Sequence, residues 1–305
     1  VSCPFLREAR ARSCQAAPLR KLIVEGRTDT SGEKCSSAGH QQCSIFVEQR
    51  AISEDPGRCP FLHESLMQYC AAQSVPKMVP YSESQLGKCG SDSFEYCETY
   101  LQMAHPNGSH AADEWQVEGI PVPSKLYYTA NHMWIDTHES GACHIGIDGF
   151  LARLIGRLDG VNFATQRGVN RPSAVLNLHG ADWPLVFPNQ VLISSANLYL
   201  RGNPARLAAD PYGSGYLFEG WEPPSGSPSR HGLMHGRQAI HWIRQEVSRL
   251  SEFVQQCASR RGTGLDSTLC DGGTCVPGLL DHLTRDEMFR LLHEFFDPHA
   301  AWPAQ

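Results

Sequence analysis

Asp210-Pro211-Tyr212-Gly213-Ser214-Gly215-Tyr216-Leu217 is the stretch that decides the fold. It is the last of three motifs that follow one another in order between Lys125 and Trp221. The first is Tyr128-x-x-x-His132-x-Trp134. The second is Ile145-Gly146-Ile147-Asp148, followed by Phe150 and Gly156. Asn197 and Asn203-Pro204 lie ahead of the third. Between them, Val175-Leu176-Asn177-Leu178 and Gln190-Val191-Leu192-Ile193 read as strands flanking a hairpin. A β-rich domain is therefore predicted over 125–222.

These motifs, in this order and at these separations, resemble the H protein of the glycine cleavage system, a relative of the lipoyl domains. The resemblance implies a lipoyl-like β barrel-sandwich hybrid of two small sheets. In that family a Glu-Ser-Val-Lys-Ala hairpin turn carries a lipoylated lysine and is presented to partner enzymes. Counting back from Phe187-Pro188, the matching segment is Asn177-Leu178-His179-Gly180-Ala181, with Gly180 at the lysine position. Residues 126–305 contain no lysine at all, so a shift of a few positions supplies none. Lipoylation needs an amine, and glycine offers only a permissive backbone. No lipoate is expected, and an acyl or aminomethyl carrier is the least favoured function. The resemblance implies instead a partner-docking surface at His179, Gly180 and Trp183, without a covalent cargo. An ordinary turn residue is the plainer reading of His179.

The N-terminal third carries an internal duplication. Cys3-Pro4-Phe5-Leu6, Glu8, Cys14 and Lys21 recur at an offset of 56 as Cys59-Pro60-Phe61-Leu62, Glu64, Cys70 and Lys77. Cys35 and Cys43 recur at an offset of 54 as Cys89 and Cys97. Each copy, about 3–50 and 59–104, has the form C-P-F-L-x7-C followed by C-x7-C. Four cysteines kept together suggest a working set of four. Four thiolates are the full ligand set of an iron–sulfur cube, so two 4Fe–4S clusters are the leading reading. Structural zinc is an alternative, although the C-x2-C knuckle common in zinc sites is missing. Disulfides between two short helices are the third, because these spacings put each cysteine pair near one helical face. His40 has Phe94 as its counterpart and reads as solvated. Lys21 and Lys77 would either offset thiolate charge or close a helix.

The fold class expected is α+β. A cysteine-rich helical module (1–104) is followed by a linker (105–124), the β domain (125–222), a second linker (223–231) and a helical extension (232–305). In that extension, Ile240, Ile243, Val247, Leu250, Val254 and Cys257 form one helical stripe. Cys257 reads as a core residue on that stripe. Thr284 and Glu287 form a capping box ahead of Met288, Leu291, Leu292, Phe295 and Phe296. Cys270 and Cys275 flank an Asp-Gly-Gly turn and could bridge or share a metal; Cys143 reads as an unpaired hydrophobe. His231 and His235, four apart, have a metal-ligand spacing but lie in a Gly-rich helix start.

A net charge of −6 without marked asymmetry argues against a nucleic-acid partner. No apolar run is long enough for a membrane span. No catalytic signature is present, so no catalytic residue is assigned. The function expected is a non-catalytic accessory subunit that docks a protein partner and transfers electrons or aids complex assembly. A scaffold stabilised by zinc or disulfides is the alternative. A cytoplasmic location is expected, or export if the twelve cysteines are bridged.

Overall fold

In the computed structural model the chain divides into two units, Val1–Gly90 and Ser91–Gln305. The structure describes residues 2–16, 21–23, 34–49, 55, 57–72, 75, 77–79, 88–104, 115–222, 230–261, 270–271, 274–275 and 277–297.

The first unit is built on strands, which corrects the helical module expected from the cysteine spacings. β1 (Leu6–Cys14), β2 (Lys21–Ile23), β3 (Leu62–Cys70) and β4 (Lys77–Val79) form one antiparallel sheet in the order β2-β1-β3-β4. β1 and β3 pair along their full length, from Leu6 opposite Cys70 to Cys14 opposite Leu62. The duplicated segments thus face each other in reverse, a self-complementary arrangement like that of an isologous dimer. Cross-strand polar pairs line one face. Arg12 Nε donates to Glu64 Oε1 at 3.0 Å, and Gln68 Nε2 to Glu8 Oε1 at 3.0 Å. The spacing Leu62-Leu66-Tyr69, which suggested a helical face, is no core face, since Leu66 is 66% exposed. A strand partner supplied by the other copy overrides the local periodicity. The helical content here is small: a 3₁₀ turn at Ala38–Gln42 and α1 (Ser44–Glu48).

The second unit begins inside the second copy, with a 3₁₀ turn at Asp92–Tyr96 and α2 (Glu98–Ala104). β5 (Trp115–Val117) and β6 (Ile120–Val122) form a hairpin turned by Glu118 and Gly119, both at positive φ. Val117, Ile120 and Val122 are buried, so this end of the segment read as a linker belongs to the core. Its three-residue strands are too short to show periodicity beside the Pro and Gly that flank them. Residues 105–114 and 223–229 of the two expected linkers lie outside the described residues.

β7 (Tyr127–Tyr128), β8 (Met133–Thr137), β9 (Ala142–Ile147), β10 (Gly160–Phe163), β11 (Gly168–Asn170), β12 (Ser173–Leu178), β13 (Ala181–Val186), β14 (Val191–Ala196), β15 (Phe218–Trp221) and β16 (Met234–His235) follow. They build two sheets, β11-β14-β15-β9-β8-β7-β16 and β10-β12-β13. β9 is central and buried at every position, whereas β12 alternates buried and half-buried residues, as a strand with one face in the core should. Short helices α3 (Gly149–Leu154), α4 (Tyr199–Gly202) and α5 (Arg206–Ala209) link them.

The motifs are structural fasteners. Trp134 Nε1 donates to the Pro211 carbonyl at 3.2 Å, and the Tyr212 hydroxyl donates to the Pro121 carbonyl at 2.9 Å. Gly146 lies under Trp134: a Cβ there would stand 2.6 Å from the indole, so only glycine leaves room for it.

The extension supplies α6 (Arg237–Arg261), β17 (Cys270–Asp271), β18 (Thr274–Cys275) and α7 (Arg285–Phe296). The apolar stripe of α6, Cys257 included, is buried with Met288, Leu291, Leu292, Phe295 and Phe296 of α7 in one core with the β domain. Thr284 and Glu287 form the capping box at the start of α7. Mixed helix and sheet make the fold α+β. No helix among the described residues is long and apolar enough to cross a membrane.

Candidate functional site

The hairpin β12–β13 closes with Leu178 opposite Ala181, leaving His179 and Gly180 as a two-residue loop. Their φ values are +49° and +73°. Positive φ at both central residues is the geometry that matches the twist of the flanking strands. Gly180 has open space around it, with nothing within 4 Å of where a Cβ would stand. The strand returning from the tip is Ala181–Val186, which corrects the assignment of Gln190–Ile193 as the flanking strand. Pro184, in the run Trp183-Pro184, masked it in the sequence. Trp183 sits opposite Leu176 and packs half-buried against the core.

The tip is not free. His179 Nε2 lies 2.9 Å from Asp281 Oδ1 in the 3₁₀ turn Leu279–His282 of the extension. The same carboxylate accepts the Arg157 backbone N–H at 2.9 Å. Gly156 makes this possible, because a Cβ there would fall 1.8 Å from Asp281 Oδ2. Sequence reading missed Asp281, since nothing local marks it as the partner of a hairpin so far upstream.

Beneath the motifs lies a buried polar chain. His132, at φ +60° and fully buried, places Nδ1 2.7 Å from Asp148 Oδ2. Asp148 also caps α3 by accepting the Leu151 N–H at 2.9 Å. On the other side of the ring, Nε2 lies 3.7 Å from Glu246 of α6, which holds Arg249 through two contacts of 2.7 Å. Phe150 and Trp242 stack on the imidazole at 4.4 and 4.6 Å. Burial works to lower the His132 pKa, but the Asp148 and Glu246 carboxylates outweigh it and raise it. For Glu246, burial works upward, and His132 and Arg249 bring the net shift below the ordinary value. This chain ties the helical extension to the β domain. It is a structural ion network rather than an open active site.

No protein-family model matches the chain. The H protein of the glycine cleavage system from Aeromonas hydrophila is 31% identical over 100 residues, which span 32% of this chain and 78% of that protein. The chain belongs to the glycine cleavage system H protein family. The Mycobacterium leprae H protein is 26% identical over 105 residues, covering 32% of this chain and 76% of its own length. The crystal structure of the H protein from Mycobacterium marinum is 23% identical, with a TM-score of 0.34, over 41% of this chain and 98% of that one. The H-protein-like region is about a third of the chain.

Of the eight cysteines singled out, Cys3 and Cys59 are buried just ahead of β1 and β3, and Cys14 and Cys70 end those strands. Cys35 and Cys43 flank the turn Ala38–Gln42, and Cys89 lies in a 3₁₀ turn at Lys88–Gly90. Cys97 follows the turn at Asp92–Tyr96 and belongs to the second unit. All eight are free thiols. Among the described residues, Leu6–Cys14 and Leu62–Cys70 are strands rather than the helices that a disulfide ladder required. Among the described residues, no three His, Cys, Asp or Glu side chains stand close enough together to hold a metal ion.

His40 is fully buried, against the expectation of a solvated residue. Its ring packs edge-on to Phe46 at 5.0 Å, and Nδ1 donates to the Ser37 carbonyl at 2.6 Å. Lys77 is exposed, opposite Cys70 in the β3–β4 ladder. His231 and His235 are both exposed and precede α6 rather than sharing its face. Cys143 is buried in β9, and burial pushes its thiol up to about 12. Cys270 and Cys275 are backbone partners in β17–β18.

Proposed function

We propose that this chain is a non-lipoylated accessory subunit that docks a protein partner through the β12–β13 hairpin and holds an iron–sulfur centre on its cysteine repeats. Such a subunit serves electron transfer or complex assembly and carries out no catalysis of its own. The observation that carries this reading is Gly180. It occupies the tip of the hairpin where the family resemblance puts the modified lysine, and no lysine follows Lys125. The chain keeps the platform and has no amine to load. Trp183 and His179 give the platform an apolar body and a polar edge, the composition of an anchoring contact.

The duplication of all four cysteines with their spacing supports the metal half. Reduced thiols of this number are at home in the cytoplasm, where we place the protein. A second reading, zinc in a purely structural module, is favoured by one finding. The cysteines sit at strand ends and turns of a small sheet, positions that suit closed structural zinc sites.

Protein purified without oxygen is expected to show an intact mass with no lipoyl adduct, bound iron and sulfide, and broad absorption near ~400 nm from thiolate-to-iron charge transfer. Zinc in a colourless protein would move the function to the scaffold. The double change His179→Ala and Trp183→Ala is expected to abolish recovery of the copurifying partner. Unchanged recovery would rule out docking through the hairpin.

A further inference from the structure

We propose that Cys14, Cys35 and Cys43 of the first copy and Cys59 of the second form one tetrathiolate metal site, its ligands exchanged between the repeats. The inference rests on reading the cysteine module as a metal carrier, and changes which cysteines work together. All four lie in the first unit.

Strand geometry excludes the simpler set of one copy's own cysteines. Cys3 precedes β1 and Cys14 ends it. Eight steps of about 3.3 Å hold the two ends of such a strand roughly 26 Å apart. Sulfurs sharing one metal at about 2.3 Å each cannot be more than roughly 5 Å apart. Cys3 and Cys14 therefore serve different sites.

The antiparallel ladder brings a replacement. Cys14 is opposite Leu62, whose N–H bonds back to the Cys59 carbonyl at 3.0 Å. Gln15 N–H donates to the Phe61 carbonyl at 2.9 Å, fixing the end of β1 beside the Cys59 turn. Cys59 N–H in turn donates to the Cys35 carbonyl at 2.9 Å, and Cys43 N–H to the His40 carbonyl at 3.0 Å. The same crossing recurs at the other end of the ladder. Cys3 N–H donates to the Cys89 carbonyl at 2.8 Å, and Leu6 is opposite Cys70. Two independent copies of one crossing make it a property of the repeat.

One further observation points to a ligand. His40, between Cys35 and Cys43, donates from Nδ1 to a carbonyl, and its buried Nε2 has no partner. A carbonyl-held imidazole with an unshared lone pair is the usual state of a metal-ligating or metal-adjacent histidine. The thiols as they stand are not closed around a point. Binding requires their rotation inward, and a divalent ion would replace four S–H protons with four metal–sulfur bonds.

The test is a labelling footprint on the full chain, purified without oxygen with iron and zinc supplied. Metal content is measured, and each cysteine's reaction with iodoacetamide is mapped by peptide mass spectrometry. Exchanged ligands predict that Cys59→Ser loses one metal centre and makes Cys14, Cys35 and Cys43 react, while Cys3, Cys70 and Cys89 stay protected. The reciprocal Cys14→Ser is expected to release Cys59 and leave Cys3 protected. Release of Cys70 and Cys89 by Cys59→Ser, or of Cys3 by Cys14→Ser, would overturn the exchange while leaving a metal carrier. Uniform labelling in both variants would overturn two separable sites. A wild-type chain without bound metal would overturn both this inference and the metal reading beneath it. Iron with sulfide, or zinc alone, identifies which thiolate-bound centre is present.

Discussion

The two units are held together by different means. The second has one continuous apolar core that runs through both sheets and into α6 and α7. In the first, the buried apolar side chains among the described residues are Cys3, Cys59 and Ala72, with His40 the buried polar one. Leu66 and Met78 of its sheet, and Val75 between β3 and β4, are exposed. The described part of this sheet buries little of the area that normally offsets chain entropy, and in small domains metals or disulfides commonly supply the difference. The comparison teaches that two cysteines, Cys3 and Cys59, stand among the few buried side chains described in the first unit, whereas Cys143 and Cys257 are two members of a large core in the second.

The strongest way to break this comparison is to remove the metal proposed for the cysteine module. Chelation under reducing conditions is expected to unfold the first unit's sheet, several kcal/mol being at stake in a structural metal site. The second unit should keep its own transition. Hydrogen exchange resolved by peptide distinguishes the two, and full protection of β1 and β3 after metal removal would sink the contrast.

Next in size is the buried ion network of the second unit. Asp148→Ala removes the partner of His132 and the cap of α3 together. A loss of about 3–5 kcal/mol is expected from breaking a buried pair, read by denaturant unfolding of the second unit. The first unit's transition should not move.

The same network sets a pH dependence. The folded pKa of His132 is raised above 6.5, so its contribution is complete below that value and fades as pH rises through the folded pKa. The folded pKa of Glu246 is lowered from 4.5, so its contribution is present above 4.5 and fades as pH falls through the folded pKa. The second unit is therefore expected to be most stable between these limits. A His132→Gln variant should lose the alkaline slope, and an unchanged slope would place it elsewhere.

Smaller effects sharpen the picture at the hairpin. Gly156→Ala must displace Asp281, at a cost of about 1–3 kcal/mol typical of overpacking, and should free the His179 ring, visible in the chemical shifts of its ring protons. Gly180→Ala meets no steric contact and is strained only by its positive φ, so about 1 kcal/mol is expected. Smallest is Arg12→Ala in the first unit, which breaks a partly exposed pair worth about 1 kcal/mol or less.

How much was legible depended on where each partner lies in the chain. The H-protein-like motifs identified the β domain because part of their packing is short-range, such as Gly146 under Trp134 of the preceding, paired strand. The stripe of α6 and the cap of α7 were legible for the same reason: helical periodicity is written over a few adjacent turns. The first unit misled because Leu62-Leu66-Tyr69 has helical spacing, and the ladder that overrides it joins residues from separate copies. His40 was misread because its burial comes from Phe46 and the surrounding turns, which its neighbours in sequence do not announce.

By itself, the sequence determined that four cysteines are duplicated as a set, that an H-protein-like region follows, and that this region contains no lysine after Lys125. These are matters of residue identity and short-range order. Only the tertiary structure decided that Cys59 sits beside Cys35, that His179 is held by Asp281, and that His132 reaches Glu246. Each of those pairs spans a long loop. Such contacts are fixed by strand register and core packing once the whole chain has collapsed, and no local pattern encodes them.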